Sequence, residues 1–132
     1  MTTSRRVFAL AVLLCLHGAS ANACDRAAGV VAYAEVDGQI LILIADHKIN
    51  TTRGWGAFGG CVDDEETLSQ GALRELHEET RCALPQSLKV GDTTPRVNFG
   101  RFTSFALKVP YMSGVDIADT TPQKLCGGIS AK

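Results

Sequence analysis

Half of the acidic residues of this chain lie in one short segment, residues 63–79, and this concentration constrains the fold more than any other feature. Seven of the 14 aspartates and glutamates fall there. Three of them, Glu75, Glu78 and Glu79, are spaced i, i+3 and i+4, so in an α-helix they converge on one patch covering roughly a third of the circumference. Carboxylates held together repel one another, and a divalent cation neutralises such a cluster. All-oxygen ligation selects hard ions such as Mg²⁺ or Mn²⁺.

The same segment has the apolar periodicity of a helix that packs against a sheet. Asp63 is followed three residues later by Glu66, a pattern similar to a capping box, which predicts that the helix begins near Asp64. On a helical wheel one apolar stripe lies beside the carboxylate patch. The residues of this stripe are Leu68, Ala72, Leu73 and Leu76. The residues predicted to point away from the core are Gln70, Arg74 and His77.

Residues 1–23 have the features of a secretory signal peptide. Arg5 and Arg6 precede an apolar run of ten residues, and Ala21-Asn22-Ala23 forms an A-x-A cleavage site before Cys24. Ten apolar residues are too few for a transmembrane helix, which needs about 20. The alternatives are an uncleaved anchor and a lipid on Cys24, and the alanine at position 21, where lipoprotein signals usually carry leucine, argues against the lipid. We expect an exported protein, either periplasmic or secreted.

Removal of this segment leaves residues 24–132, which are long enough for one small domain with a single core. The mature chain of 109 residues carries 11 basic and 14 acidic residues, a formal charge of −3. Nothing in that balance predicts binding to polymeric nucleic acid, which requires a basic patch. No later segment approaches the length of a transmembrane helix. The oligomeric state is not predicted.

Apolar and β-branched runs predict the strands of a sheet. Residues 28–34 and 39–45 are predicted to form an antiparallel hairpin with Asp37-Gly38 as its turn. The remaining predictions, in chain order, are a short strand at 55–60 that buries Trp55 and Phe58, a loop and edge strand at 89–97, a strand at 99–109, and a tail at 116–132 without a convincing helix.

The cysteines indicate a disulfide framework or a metal site. Four cysteines follow the signal segment: Cys24, Cys61, Cys82 and Cys126. An even number in an exported chain permits two disulfides in three possible connectivities. Zinc binding is less favoured, because no two of these cysteines have the short spacing of a zinc knuckle and no histidine lies beside them. Four free or buried thiols are the third interpretation.

The spacing of the acidic segment resembles the Nudix box. That pattern is Gly, five residues, Glu, seven residues, Arg-Glu, an apolar residue, any residue, Glu-Glu, any residue, Gly and a final apolar residue. Eight of its nine fixed positions are matched here, by Gly60, Glu66, Arg74, Glu75, Leu76, Glu78, Glu79 and Cys82. Only the late glycine differs, because Arg81 occupies its position.

The resemblance implies an α+β fold, an α/β/α sandwich with a mixed sheet, which in this chain looks short at the C-terminus. It implies a metal-dependent hydrolase that cleaves a pyrophosphate bond in a nucleoside diphosphate linked to another moiety. The substrate would be a small nucleotide-type molecule and the cofactor Mg²⁺ or Mn²⁺. Carried over by position, the metal ligands are Glu75, Glu78, Glu79 and the Gly60 carbonyl, and the catalytic residues are Glu75, Glu79 and Arg74.

The identity of the general base stays open at this point. Arg74 would orient a carboxylate, and Glu66 would act at the helix start. The base could be Glu75 or Glu79, and candidates outside the box are Asp92, Asp116 and Asp119. The alternative function is a catalytically silent Nudix-like domain that binds nucleotides or serves as a scaffold.

The resemblance also implies a disulfide connectivity. In a Nudix-like fold the first glycine of the box lies near the C-terminal half of the helix. We therefore expect a Cys61–Cys82 bridge, with Cys24 and Cys126 joining the chain ends. Such a bridge would pin the turn in which Arg81 replaces glycine, a position that favours the left-handed backbone conformation.

Overall fold

The computed structural model describes residues 24–46 and 55–121, so the predicted signal segment and Cys126 lie outside the described residues. The elements of the described part, in chain order, are β1 (Ala27–Val36), β2 (Gln39–Leu43), β3 (Ala45–Asp46), β4 (Trp55–Gly56), β5 (Phe58–Cys61), α1 (Leu68–Glu79), β6 (Arg96–Phe99), β7 (Phe102–Lys108) and α2 (Gly114–Asp119).

A mixed sheet forms the centre of the fold. Its strand order is β2-β1-β7-β6, and β5 pairs with β1 as well. Strands β1 and β7 run parallel, whereas β1 pairs antiparallel with β2 and β5, and β6 pairs antiparallel with β7. Strands β3 and β4 form a separate two-stranded sheet. The predicted α+β class with a mixed sheet is confirmed.

The β1–β2 hairpin forms where the turn sequence predicts it. Val36 is paired with Gln39, so Asp37 and Gly38 are the two turn residues. Both have positive φ, 51° for Asp37 and 76° for Gly38. A two-residue hairpin loop with both residues in this region matches the right-handed twist of the strands, which explains the preference for Asp-Gly.

Helix α1 begins four residues later than predicted. Thr67 is its N-cap: the Thr67 hydroxyl accepts from the Gln70 amide and the Gln70 side chain accepts from the Thr67 amide, forming a capping box. Asp63 and Glu66 instead close a turn ahead of the helix, in which the Glu66 carboxylate accepts from the Asp63 amide at 3.1 Å. The sequence therefore contains two competing cap patterns, and the second one starts the helix.

The core lies between α1 and the sheet. Ala72 and Leu76 are fully buried, while Leu68 and Leu73 pack half-buried against the same cluster, so the predicted apolar stripe is confirmed. The other members of the cluster, from the sheet and the flanking loops, are Ala28, Val30, Ala32, Phe58, Val62, Leu84, Phe105, Leu107 and Val109. This packing fixes the position of α1 relative to β1, β5 and β7.

Two side chains have the opposite burial to the predicted one. His77 is only 1% exposed, because the chain reverses after α1 at two residues with positive φ, Arg81 and Cys82, and Leu84 is buried in the core. Burial disfavours the imidazolium and lowers the pKa of His77. Trp55 is 69% exposed, because it pairs with β3 in the small sheet and not with the central one.

The tail contains a short helix that the sequence analysis missed. Helix α2 spans Gly114–Asp119 and is capped by Ser113, whose hydroxyl accepts from the Asp116 amide at 3.1 Å. The same hydroxyl donates to the Asp116 carboxylate at 2.6 Å. The Ser-x-x-Asp spacing is the signal that could have located this helix.

A disulfide joins Cys24 to Cys61, which shows that the expected Cys61–Cys82 and Cys24–Cys126 pairings are wrong. The reason is the antiparallel pairing of β1 with β5, which places Ala27 opposite Cys61 and brings the Cα atoms of Cys24 and Cys61 to 5.4 Å. Cys82 is also disulfide-bonded. Because the sulfurs of Cys24 and Cys61 are joined to each other, neither can carry a lipid or bind zinc.

Removing the Cys24–Cys61 bridge is expected to destabilise the fold. The double substitution Cys24→Ser and Cys61→Ser should lower the free energy of unfolding by about 2–4 kcal/mol, since the bridge restricts the unfolded chain. Urea denaturation measures this loss, and peptide mapping without reductant should recover a Cys24–Cys61 peptide pair. Recovery of a Cys61–Cys82 pair, or unchanged stability of the double variant, would contradict the observed connectivity.

Candidate functional site

The Gly59-Gly60 segment of β5 is in close contact with the C-terminal half of α1. Gly60 is opposite Ala28 in the sheet and faces the helix. A Cβ atom at Gly60 would lie 2.5 Å from the Glu75 Oε1 atom, so the Glu75 carboxylate occupies the space that any other side chain would need. The Gly59 amide donates to Glu79 Oε2 at 2.9 Å. Two of the three acids are thus positioned by a glycine backbone.

Arg74 joins the acidic residues of the site. Its guanidinium binds Glu66 through two hydrogen bonds, of 2.8 and 3.0 Å. It also donates to Glu75 at 2.8 Å and to Glu78 at 3.3 Å. A further hydrogen bond of 2.8 Å reaches the Cys61 carbonyl at the end of β5. One side chain therefore links the turn before α1, the helix itself and the strand that carries Gly60.

The electrostatics of the site follow from this arrangement. The Arg74 side chain is 16% exposed and those of its partners Glu66 and Glu75 are 11% and 17% exposed, so these ion pairs are shielded from water. Hydrogen bonding to Arg74 is the main cause that lowers the pKa of Glu66. The same carboxylates raise the pKa of Arg74, mainly through its bonds to Glu66. Arg74 is therefore a permanent positive charge that allows acids to lie close together.

The exposure of the acids increases along the helix. Glu75 is half-buried, and the side chain of Glu78 is 39% exposed. Glu79, at the last position of α1, is also exposed. The carboxylate patch therefore has a sheltered end beside Gly60 and an end open to solvent, where a ligand can approach.

The donor atoms of this patch fit a hard divalent cation by their chemistry, since carboxylates and a backbone carbonyl are the ligands that Mg²⁺ and Mn²⁺ prefer. Across residues 24–46 and 55–121, however, no three or more His, Cys, Asp or Glu side chains are arranged as a ready metal-binding group. The present hydrogen bonds explain this, because Glu75 and Glu78 turn toward Arg74 while Glu79 accepts from Gly59.

The acids outside the box have other positions. Asp92 lies exposed in a turn between α1 and β6. Asp116 binds Ser113 at the start of α2, and Asp119 is the last residue of that helix. These three residues were candidates for the general base because they are acids that follow the box in the chain. The structure gives Asp116 a helix-capping role.

A family model matches this chain, and two solved structures are similar to it. A sequence model of the NUDIX domain matches residues 25–112. A crystal structure of an Ap4A hydrolase from C. elegans has a TM-score of 0.51 and 23% identity, over 66% of this chain and 69% of that chain. A Nudix hydrolase from M. smegmatis, RenU, has a TM-score of 0.46 and 24% identity, over 66% of this chain and 62% of that chain. No curated protein matches the chain.

Replacing Arg74 is expected to destabilise the protein at neutral pH. Arg74→Gln should lower the free energy of unfolding by roughly 2 kcal/mol at pH 7, because a hydrogen bond to a charged group contributes about 1.5–3 kcal/mol. The low pKa of Glu66 stabilises the folded state at pH values above the unfolded value of 4.5, and this contribution is lost as the pH falls from 4.5 through the lower folded-state pKa. The gap between wild type and variant should therefore shrink in acid.

Urea denaturation at pH 7 and at pH 4 measures this gap. Arg101→Gln is the matched control, since the Arg101 side chain is 69% exposed and its substitution should change the stability little. Equal stability of Arg74→Gln and wild type at pH 7 would show that the arginine does not hold the site together.

Proposed function

Since the chain belongs to the Nudix family of pyrophosphohydrolases, we propose that it hydrolyses a pyrophosphate bond in a nucleoside diphosphate linked to another moiety, with Mg²⁺ or Mn²⁺ as cofactor. Nudix hydrolases generally use divalent metal ions. The substrate is a small nucleotide-type molecule, and the mature chain, with its net charge of −3, has no excess of basic residues for a nucleic acid polymer.

The contact between Glu75 and Gly60 carries this proposal. Only glycine leaves room for the carboxylate at that point of β5. The same contact keeps the Gly60 backbone within reach of the acidic face of α1. A solvated acidic helix would need neither a glycine in the neighbouring strand nor a half-buried arginine among its carboxylates.

The residues that would hold the ion are Glu75, Glu78 and Glu79, together with the Gly60 carbonyl. Such an ion neutralises charge on the phosphoryl oxygens and orients the bond to be cleaved. Rotation of the Glu78 side chain, the more exposed partner of Arg74, would release a carboxylate for binding. Arg74 acts as a positioning residue, because it holds Glu75 against Gly60 and keeps the acids from repelling one another.

Glu79 is the better of the two box candidates for the general base. The Gly59 amide fixes one of its oxygens, and its exposed position allows a water molecule to approach. Glu75 Oε1 already accepts from Arg74, which leaves it less suited to receive a proton from water. A carboxylate within hydrogen-bonding distance of the attacking water would accept its proton as the phosphorus–oxygen bond forms.

We further propose that the protein acts outside the cytoplasm, in the periplasm or as a secreted protein. The Cys24–Cys61 disulfide is compatible with an oxidising compartment. Cys24 directly follows the predicted cleavage site, so cleavage after Ala23 would leave the bridge intact. None of the helices in the described residues is long and apolar enough to cross a membrane.

A substrate screen tests the proposed reaction. The purified protein is incubated with Mg²⁺ or Mn²⁺ and with nucleoside diphosphate sugars, dinucleoside polyphosphates, ADP-ribose or nucleoside triphosphates, and the products are separated by ion-exchange chromatography. We expect hydrolysis of one class, dependent on the metal. Gly60→Ala should reduce kcat/KM on the order of 100-fold. The added Cβ atom displaces the Glu75 carboxylate, and a displacement of a catalytic group by about 1 Å can reduce the rate by about that factor.

Gly91→Ala is the matched control, since a Cβ at that position meets nothing within 4 Å and should leave the activity unchanged. Full activity of Gly60→Ala would contradict the proposed site. Binding of a nucleotide without turnover, unaffected by Glu78→Gln, would favour the silent nucleotide-binding domain instead.

A further inference from the structure

A cavity of about 250 Å³ adjoins the exposed end of the acidic patch. Glu79 lines it on one side, and the end of β2, the β3 strand and α2 line the others. Its apolar wall includes Ile44, Phe58 and Ile117. Asp46 and Arg81 are the remaining charged groups among the described lining residues. An apolar pocket with a few polar groups at one side is the usual form of a small-molecule site.

Arg81 is held in this wall by two constraints. Its backbone has φ 55°, in the left-handed region that an L side chain rarely adopts. Its guanidinium donates to the Ala118 carbonyl of α2 at 3.0 Å. An arginine is therefore kept at a position that favours glycine, with its side chain fastened beside the cavity. Strained residues of this kind persist where the surroundings over-determine them, and they cluster at functional sites.

The shared lining by Glu79 and Arg81 connects the cavity to the acidic patch. A pyrophosphate bound at the Glu75–Glu79 patch would place one phosphate and its attached group beside this cavity, because Glu79 lines both. Arginine is suited to phosphate, because its planar fork presents several donors to the oxygens. The volume is smaller than the roughly 300 Å³ at which pockets for drug-sized ligands begin, so the cavity fits one compact ring-sized group.

We propose that Arg81 is a substrate-binding residue, which contacts a non-bridging phosphate oxygen while the cavity beside it receives the ring-sized group attached to that phosphate. This inference rests on the proposed function, because it takes Glu79 as part of the reaction site. The ligand class is a phosphate monoester or diester whose attached group places one ring, such as the ribose of a nucleotide, in the cavity. Arg81 therefore contributes to affinity for the substrate and not to the chemical step.

The variant Arg81→Gly distinguishes a role of Arg81 in substrate binding from a role in the stability of the fold. It introduces the residue that the left-handed conformation favours, so the melting temperature should stay constant or rise. We expect KM to increase at least tenfold while kcat changes less than threefold. Arg81→Lys keeps the charge but loses the fork, and should raise KM several-fold. Arg101→Gly, which removes an exposed arginine elsewhere, should leave KM unchanged.

A binding experiment tests the role of Arg81 without requiring turnover of a substrate. Calorimetry with AMP and GMP as probes, without a divalent ion, should detect binding to the wild type that weakens at least tenfold in Arg81→Gly. This result would support the inference even if no substrate were hydrolysed. Unchanged KM in Arg81→Gly and Arg81→Lys, or nucleotide binding that is equal in wild type and variant, would overturn it even if the protein is an active hydrolase.

Discussion

The guanidinium of Arg74 is the interaction on which the rest of the site depends. It lies half-buried among the carboxylates of Glu66, Glu75 and Glu78 and reaches the carbonyl of Cys61. Without that charge, these three carboxylates would repel one another. With it, the turn before α1, the helix and the strand β5 are held in one arrangement. The acidic patch is therefore held in place by contacts within the fold, unlike a cluster of solvated surface acids.

The Cys24–Cys61 disulfide is a second constraint on strand β5. The disulfide joins Cys61 to Cys24, which lies three residues before the start of β1, and the carbonyl of this same Cys61 accepts from Arg74. The two glycines before it allow Glu75 and Glu79 to contact the backbone. A hydrogen bond from Arg74, a disulfide and two close helix contacts therefore all act on three consecutive residues, Gly59, Gly60 and Cys61. This convergence positions the acids more precisely than helix packing alone could.

Much of the fold could be predicted because local sequence and tertiary structure agree there. The Asp37-Gly38 turn fixed the hairpin register, and the apolar stripe of α1 identified its buried face. The prediction of the helix start failed because Thr67 and Gln70 form a stronger cap than Asp63 and Glu66. His77 lies only about 40° beyond Leu73 on the helical wheel, and the chain reversal that buries it is a tertiary event.

The disulfide connectivity also depends on tertiary structure. Cys24 and Cys61 are close only because β5 pairs with β1, and this pairing could not be predicted from the sequence. The acids of the candidate site were identified from spacing alone, whereas their shared bond to Arg74 and the cavity beside Arg81 required the structure. Helix α2 was missed although Ser113 and Asp116 carry a capping pattern, because the tail lacks the apolar periodicity of a longer helix.

The most direct measurement is a titration of the protein with Mn²⁺, followed by electron paramagnetic resonance. We expect the wild type to bind the ion and Glu75→Gln, Glu78→Gln and Glu79→Gln each to weaken binding at least tenfold. Asp92→Asn, which alters an exposed acid outside the box, should leave binding unchanged. Equal Mn²⁺ binding by the wild type and the three glutamate variants, or no binding at all, would contradict the proposed metal site.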